Sequence, residues 1–214
     1  MSKLVTWRRW CCKIEEEILI PYKFNKLVAE SYFDIIKPHL DAGRPATFHN
    51  WCSDNYAISI LLALRKLTDN DPRVYSVRRL VGDIQANNRC IRRETYIRRY
   101  PSHFRCLAEE NWTKNISEKL DYLPKKIPSA HLDEIKLISE RMNGITNRFV
   151  AHQNRAKNKK YTIHFDDVYA AIKRLISIAA LYSDLVGNAI PDDDSNVSDP
   201  TNWESIFEVP WRVR

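Results

Sequence analysis

The stretch FDDVYAAIKRLISIAALYSDLV, residues 165–186, decides the fold. Its apolar residues return at helical spacing along its whole length, which predicts one long amphipathic helix. Asp166 and Asp167 stand at its start, where the partial positive charge of a helix N-terminus favours carboxylates. The same period extends upstream. Leu132, Ile135, Ile138, Met142, Ile145, Phe149 and Val150 predict a second long helix over 131–152. At the beginning of the chain Leu4, Trp7, Cys11, Ile14 and Ile18 form one stripe. Pro21 is expected to bend or break that helix, because it lacks an N–H and its ring crowds the preceding turn. Phe24, Leu27, Val28, Ser31, Ile35 and Ile36 make a further stripe, ended by KPHLDAGRPAT (37–47).

A helix through Trp51, Tyr56, Ile60, Leu61 and Leu64 runs to TDNDPR (68–73). Arg65 and Asp69, four apart, are expected to pair on it, the alternative being a buried arginine near a catalytic helix. Ser76 suits the N-cap of VRRLVGDIQ. Residues 103–116 read as helix and 122–130 as a loop; 89–105 stays ambiguous. The expected fold is therefore all-α, a bundle of about five to seven helices with the long ones antiparallel. Residues 1–187 form the domain. Residues 188–214, acidic and then Trp-containing, form an irregular tail packed on it through Trp203, Phe207 and Trp211.

Composition narrows the function. The chain has 214 residues, 44% of them hydrophobic and 29% charged, as expected of one soluble domain with a sizeable core. Four glycines argue against a glycine-rich nucleotide loop or a turn-rich barrel. The net charge of +7 favours a polyanionic partner, most simply nucleic acid. Five cysteines, none spaced C-x-x-C, indicate reduced thiols in a cytoplasmic protein rather than a disulfide framework or a zinc site. Charges interrupt every long apolar run, so neither a secretory signal nor a membrane span is expected. The other histidines are scattered, and neither a metal nor a cofactor is expected.

The chemistry-bearing residues cluster just before the long C-terminal helix, in NRFVAHQNRAKNKK (147–160). At 100° per residue Arg141, Ile145, Arg148 and His152 fall on one stripe. Guanidiniums offer bidentate forks to phosphate oxygens, and an imidazole moves a proton near neutral pH. The alternative is structural: Arg148 and His152 complement the negative end of their helix. Arg155, Lys157, Lys159 and Lys160 follow, either as a solvated loop or as a surface for a run of phosphates. In NRCIRRETYIRRYPSHFR (88–105), Arg89, Arg92, Arg93, Arg98, Arg99 and Arg105 interleave with Tyr96, Tyr100 and Phe104. That pattern suits single-stranded nucleic acid, or equally an arginine-laced surface helix whose tyrosines pack inward.

Two blocks together carry a family resemblance. FHNWCSDNYAISILLALRKLTDNDPRVYSVRRLVGDI (48–84) and RMNGITNRFVAHQNRAKNKKYTIHFDDVYAAIKRLISIAALY (141–182), with their spacing and the tail NWESIFEVPW, resemble the HEPN superfamily in its abortive-infection (AbiU-like) branch. The resemblance implies an all-helical homodimer acting on RNA, in many members as a metal-independent endoribonuclease. Its settings are phage defence and toxin–antitoxin-like systems, so a protein antitoxin is a further candidate partner. It also implies a signature of Arg, four to six residues, then His. His152 matches the His and Asn147 the polar residue after the Arg. Thr146 stands where the signature Arg belongs, and Arg148 and Arg141 do not have the family spacing. They are the candidates to replace it, in a site of His152, Arg148, Asn147 and Arg141. Arg155, Lys157, Lys159, Lys160, Arg92, Arg93, Arg98 and Arg99 are the candidates for holding the strand. A catalytically inactive HEPN module that binds nucleic acid or protein is the alternative.

Overall fold

A computed structural model describes residues 2–41, 47–146 and 165–188. Among the described residues eight α-helices follow one another: α1 (Lys3–Ile14), α2 (Ile20–Asp41), α3 (Thr47–Thr68), α4 (Val77–Ala86), α5 (Arg93–Arg98), α6 (Arg105–Asn115), α7 (Lys126–Thr146) and α8 (Phe165–Val186). A π turn over Glu15–Leu19 joins α1 to α2, so the described residues form seven helical rods and no β-strand. The all-α expectation holds.

Pro21 does not break the first helix. The Ile20 N–H reaches back to the Glu15 carbonyl, one residue further than an α-helix allows. This wider turn directly precedes the proline and relieves the crowding its ring would impose on the carbonyl four residues earlier. Pro38 likewise lies inside α2, which runs to Asp41 rather than stopping at the KPHL stretch.

The first stripe is buried from its second member on: Trp7, Cys11 and Ile14 are fully inaccessible and Ile18 nearly so, while Leu4 is half-buried. The second is displaced. Tyr22, Ala29 and Tyr32 face the interior, while Phe24 is 40% exposed and Leu27, Val28, Ile35 and Ile36 are half-buried. A tyrosine ring buries as well as phenylalanine when its hydroxyl can reach a polar group, so a stripe drawn from the most apolar side chains chose the neighbouring face.

The centre of the bundle is α8 and α7. α8 packs on α1, α3, α4 and α7, and α7 packs on α3 and α4. Ile135, Ile172, Leu175, Ala179, Tyr182 and Val186 are buried at this centre. α7 begins at Lys126, inside the stretch expected to be a loop. Pro128 is no obstacle there, since the first turn of a helix needs no N–H bond from it.

Ser76 caps α4 as expected, its Oγ accepting from the Arg79 N–H at 3.1 Å. Arg65 and Asp69 do not pair. α3 ends at Thr68, and Asp69 instead takes the Asp71 N–H at 2.8 Å on its carboxylate and the Ser76 hydroxyl at 2.6 Å on its carbonyl. Trp7 donates its indole N–H to Asp83 at 2.7 Å, and Lys3 meets the same carboxylate at 2.9 Å, fixing α1 to α4.

The end of α8 is closed by a Schellman motif. Asn188 N–H bonds the Ser183 carbonyl at 2.8 Å, Gly187 N–H bonds the Asp184 carbonyl at 3.0 Å, and Gly187 takes φ of 84°. Residues 189–214, with Trp203, Phe207 and Trp211, lie outside the described residues.

Candidate functional site

The described part of the predicted site is the end where α7 leaves the bundle and α8 returns to it. α7 and α8 are antiparallel, and their register is set by polar pairs. Glu134 receives two hydrogen bonds from Arg174, at 2.6 and 2.8 Å. Seven residues further along α7, Arg141 meets Asp167 at 3.2 Å, seven residues back along α8. Two helical turns on one helix thus match two on the other. The Arg174 guanidinium holds the Glu134 carboxyl below its ordinary pKa, chiefly through these bonds. At the inner end of the row, His131 Nδ1 lies 2.9 Å from the Tyr182 hydroxyl. Burial, and then the charge of Arg174, push its pKa down.

Arg141 is the one proposed catalytic side chain within the described residues. It is two-thirds exposed at the mouth of the segment 147–164, with Asp167 as its ion partner. An ion pair this exposed contributes at most about 1 kcal/mol, so the guanidinium can exchange Asp167 for a phosphate at small cost. His152, Asn147 and Arg148, and Arg155, Lys157, Lys159 and Lys160, lie outside the described residues, as does the side chain of Thr146.

A polar group that the sequence reading missed adjoins this end. The hydroxyls of Tyr56 on α3 and Tyr169 on α8 are 2.5 Å apart. Burial, and for Tyr56 then this bond, push its pKa up; burial likewise raises that of Tyr169. Lys26 and Glu30 of α2 are paired at 3.9 Å, and their charges reach Tyr169. Helical spacing assigned Tyr56 to an apolar stripe. Only the crossing of α2, α3 and α8 brings these groups together.

The arginine-rich segment separates into two roles. On one side of α5, Tyr96 and Tyr100 donate to the two oxygens of Asp184 at 2.6 and 2.7 Å. Arg99 lies with them. Its guanidinium donates to the Leu185 carbonyl at 2.5 Å, while Arg8 donates to Val186 at 2.6 Å. Cations at carbonyls that have no helical partner stabilise a helix C-terminus. Arg99 is therefore turned to α8, apart from the other arginines. On the opposite side, Arg92, Arg93 and Arg98 line an open groove of 930 Å³ with Arg89 and Arg105.

In sequence, the basic segment 147–164 stands between the last two long helices, with Arg141 before it on α7 and Asp166 and Asp167 in the first turn of α8 after it. The family model HEPN_AbiU2 (AbiU2) matches residues 26–204, and the chain belongs to this abortive-infection-related HEPN family. No curated protein and no solved structure matches it. No helix among the described residues is long and apolar enough to cross a membrane.

Proposed function

We propose that the protein acts on RNA in phage defence, of the abortive-infection or toxin–antitoxin kind, as a cytoplasmic homodimer working at the α7–α8 end. Family membership carries this reading, and the exposed Arg141 at the mouth of the basic segment supports it. In the cleaving form no metal takes part. The ribose 2′-oxygen attacks the adjacent phosphorus as its proton passes to His152, and the 5′-oxygen of the next nucleotide takes up a proton as it leaves. Arg148 and Arg141 stabilise the charge on the phosphate, and Asn147 orients the hydroxyl or a water. Arg155, Lys157, Lys159 and Lys160 hold the strand. A protein antitoxin is a second candidate partner.

One observation favours a second reading, binding without cleavage: Thr146 occupies the place of the signature arginine. Incubating the protein with single-stranded RNA in EDTA, beside His152→Ala and Thr146→Arg, separates the two. New RNA ends that vanish in His152→Ala establish the nuclease. Ends that appear only with Thr146→Arg identify a binding scaffold lacking one charge. Cleavage that persists in His152→Ala refutes the assignment of His152.

A further inference from the structure

The groove between α5 and α6 is built from residues that the α7–α8 end does not use. We propose that it is a second RNA site, which binds the backbone of a single strand and performs no chemistry; this rests on the reading that the protein acts on RNA. Every cation lining the groove is an arginine: Arg89, Arg92, Arg93, Arg98 and Arg105. Guanidinium forks match phosphate oxygens two at a time, which an ammonium does not.

The arginines come from separate elements locked together by backbone bonds. Arg93 N–H donates to the Asp121 carbonyl at 2.9 Å, and Leu123 N–H to the Ile91 carbonyl at 3.0 Å, so the segment before α7 is pinned along the segment before α5. That pairing places Tyr122 in the groove wall, 36% exposed, with the Arg89 guanidinium 5.6 Å from its ring centre. A guanidinium beside an open aromatic ring supplies the two things a single strand needs, a charge for phosphate and a face for a base.

The acids in the groove are Glu94, Glu109 and Asp121. Glu94 is already paired with Arg98, and both side chains are more than 70% exposed. Pairing at that exposure is weak, so Arg98 can turn to a phosphate.

The placement gives the groove a role of its own. α5 is tied by Tyr96, Tyr100 and Arg99 to the last turn of α8, whereas the basic segment 147–164 joins the first turn. Twenty-two residues of helix separate the two ends, about 30 Å at 1.5 Å per residue. A strand that reaches from the groove to the first turn of α8 must be several nucleotides long. The groove therefore sets which RNAs are held and how tightly, not whether a bond is cut.

The test uses the full chain, a fluorescent 20-nucleotide single-stranded RNA and a series of salt concentrations. The groove variant Arg89→Gln/Arg92→Gln/Arg105→Gln changes exposed side chains only. It is compared with the loop variant Lys157→Gln/Lys159→Gln/Lys160→Gln. Each single-strand phosphate contact contributes about 0.7 to the slope of log affinity against log salt, so the groove variant is expected to lose about 2 from that slope. The same RNA carrying 4-thiouridine is expected to crosslink to the peptide containing Tyr122. An unchanged slope with no crosslink at Tyr122 overturns the groove; loss of affinity in the loop variant alone then leaves the RNA reading standing. Absence of RNA binding by the wild type overturns both. If the groove variant keeps its RNA affinity and loses only binding of a poly-glutamate peptide, the groove is a protein-docking site and the proposal fails.

Discussion

Asp184 holds the α5 region onto the core helix, and replacing it with alanine is the sharpest test of the fold described here. Its two oxygens accept from Tyr96 and Tyr100 at 2.6 and 2.7 Å, and Tyr96 is only 1% exposed. A hydrogen bond to a charged acceptor contributes about 1.5–3 kcal/mol, and a buried hydroxyl left without a partner costs about 1–3 kcal/mol. The two tyrosine hydroxyls are 3.2 Å apart and retain each other, which offsets part of the loss. Asp184→Ala is therefore expected to destabilise the protein by about 3 kcal/mol. With a urea m-value near the top of its usual range, about 3 kcal/mol/M, the unfolding midpoint falls by about 1 M. A double-mutant cycle with Tyr96→Phe makes the test specific: each single change removes the shared bond, so the effects must fall short of additive by about 1 kcal/mol or more. A loss under about 1 kcal/mol, or strict additivity, would refute the argument that this carboxylate anchors α5.

Gly187→Ala is expected to destabilise by about 1–2 kcal/mol, because φ of 84° disfavours a side chain and the new methyl would collide with Arg99; thermal unfolding measures it. Cys90 and Cys106 are exposed, whereas burial pushes the Cys11 thiol up to about 12. An alkylating reagent at pH 8 should label the first two rapidly and reach Cys11 only on unfolding; early labelling of Cys11 would contradict its burial. Burial raises the pKa of Tyr96 and Tyr182 above the ordinary value of 10.0. Above that pH the unfolded chain releases these protons and the folded one keeps them, so stability should fall as pH rises past about 10. Urea midpoints that stay flat from pH 9 to 11 would contradict it.

The long helices were legible because helical period and burial coincide in them: residues 165–186 form a helix with the bounds that its pattern predicts. Pro21 and Pro38 misled because a proline is local information, whereas a widened turn before it and packing along the rest of the helix are not. The α2 face was misjudged for the same reason: what decides it is the position of α3, not the hydropathy of Phe24. In the arginine-rich segment composition named the residues but could not divide them. Arg98 and Arg99 are sequence neighbours, and one lines the groove while the other binds carbonyls of α8. Of the predicted catalytic set, the structure describes Arg141 alone. The Tyr56–Tyr169 contact, 113 residues apart in the chain, had no signal in spacing.

If this basic helical domain acts on RNA, as proposed, the wild-type chain binds single-stranded RNA with an affinity that depends on salt, which a titration across salt concentrations measures. Binding is expected to weaken linearly on a log–log plot, with a slope of several times about 0.7 in magnitude from arginines and lysines engaging several phosphates. No binding at low salt, or binding indifferent to salt, would contradict it.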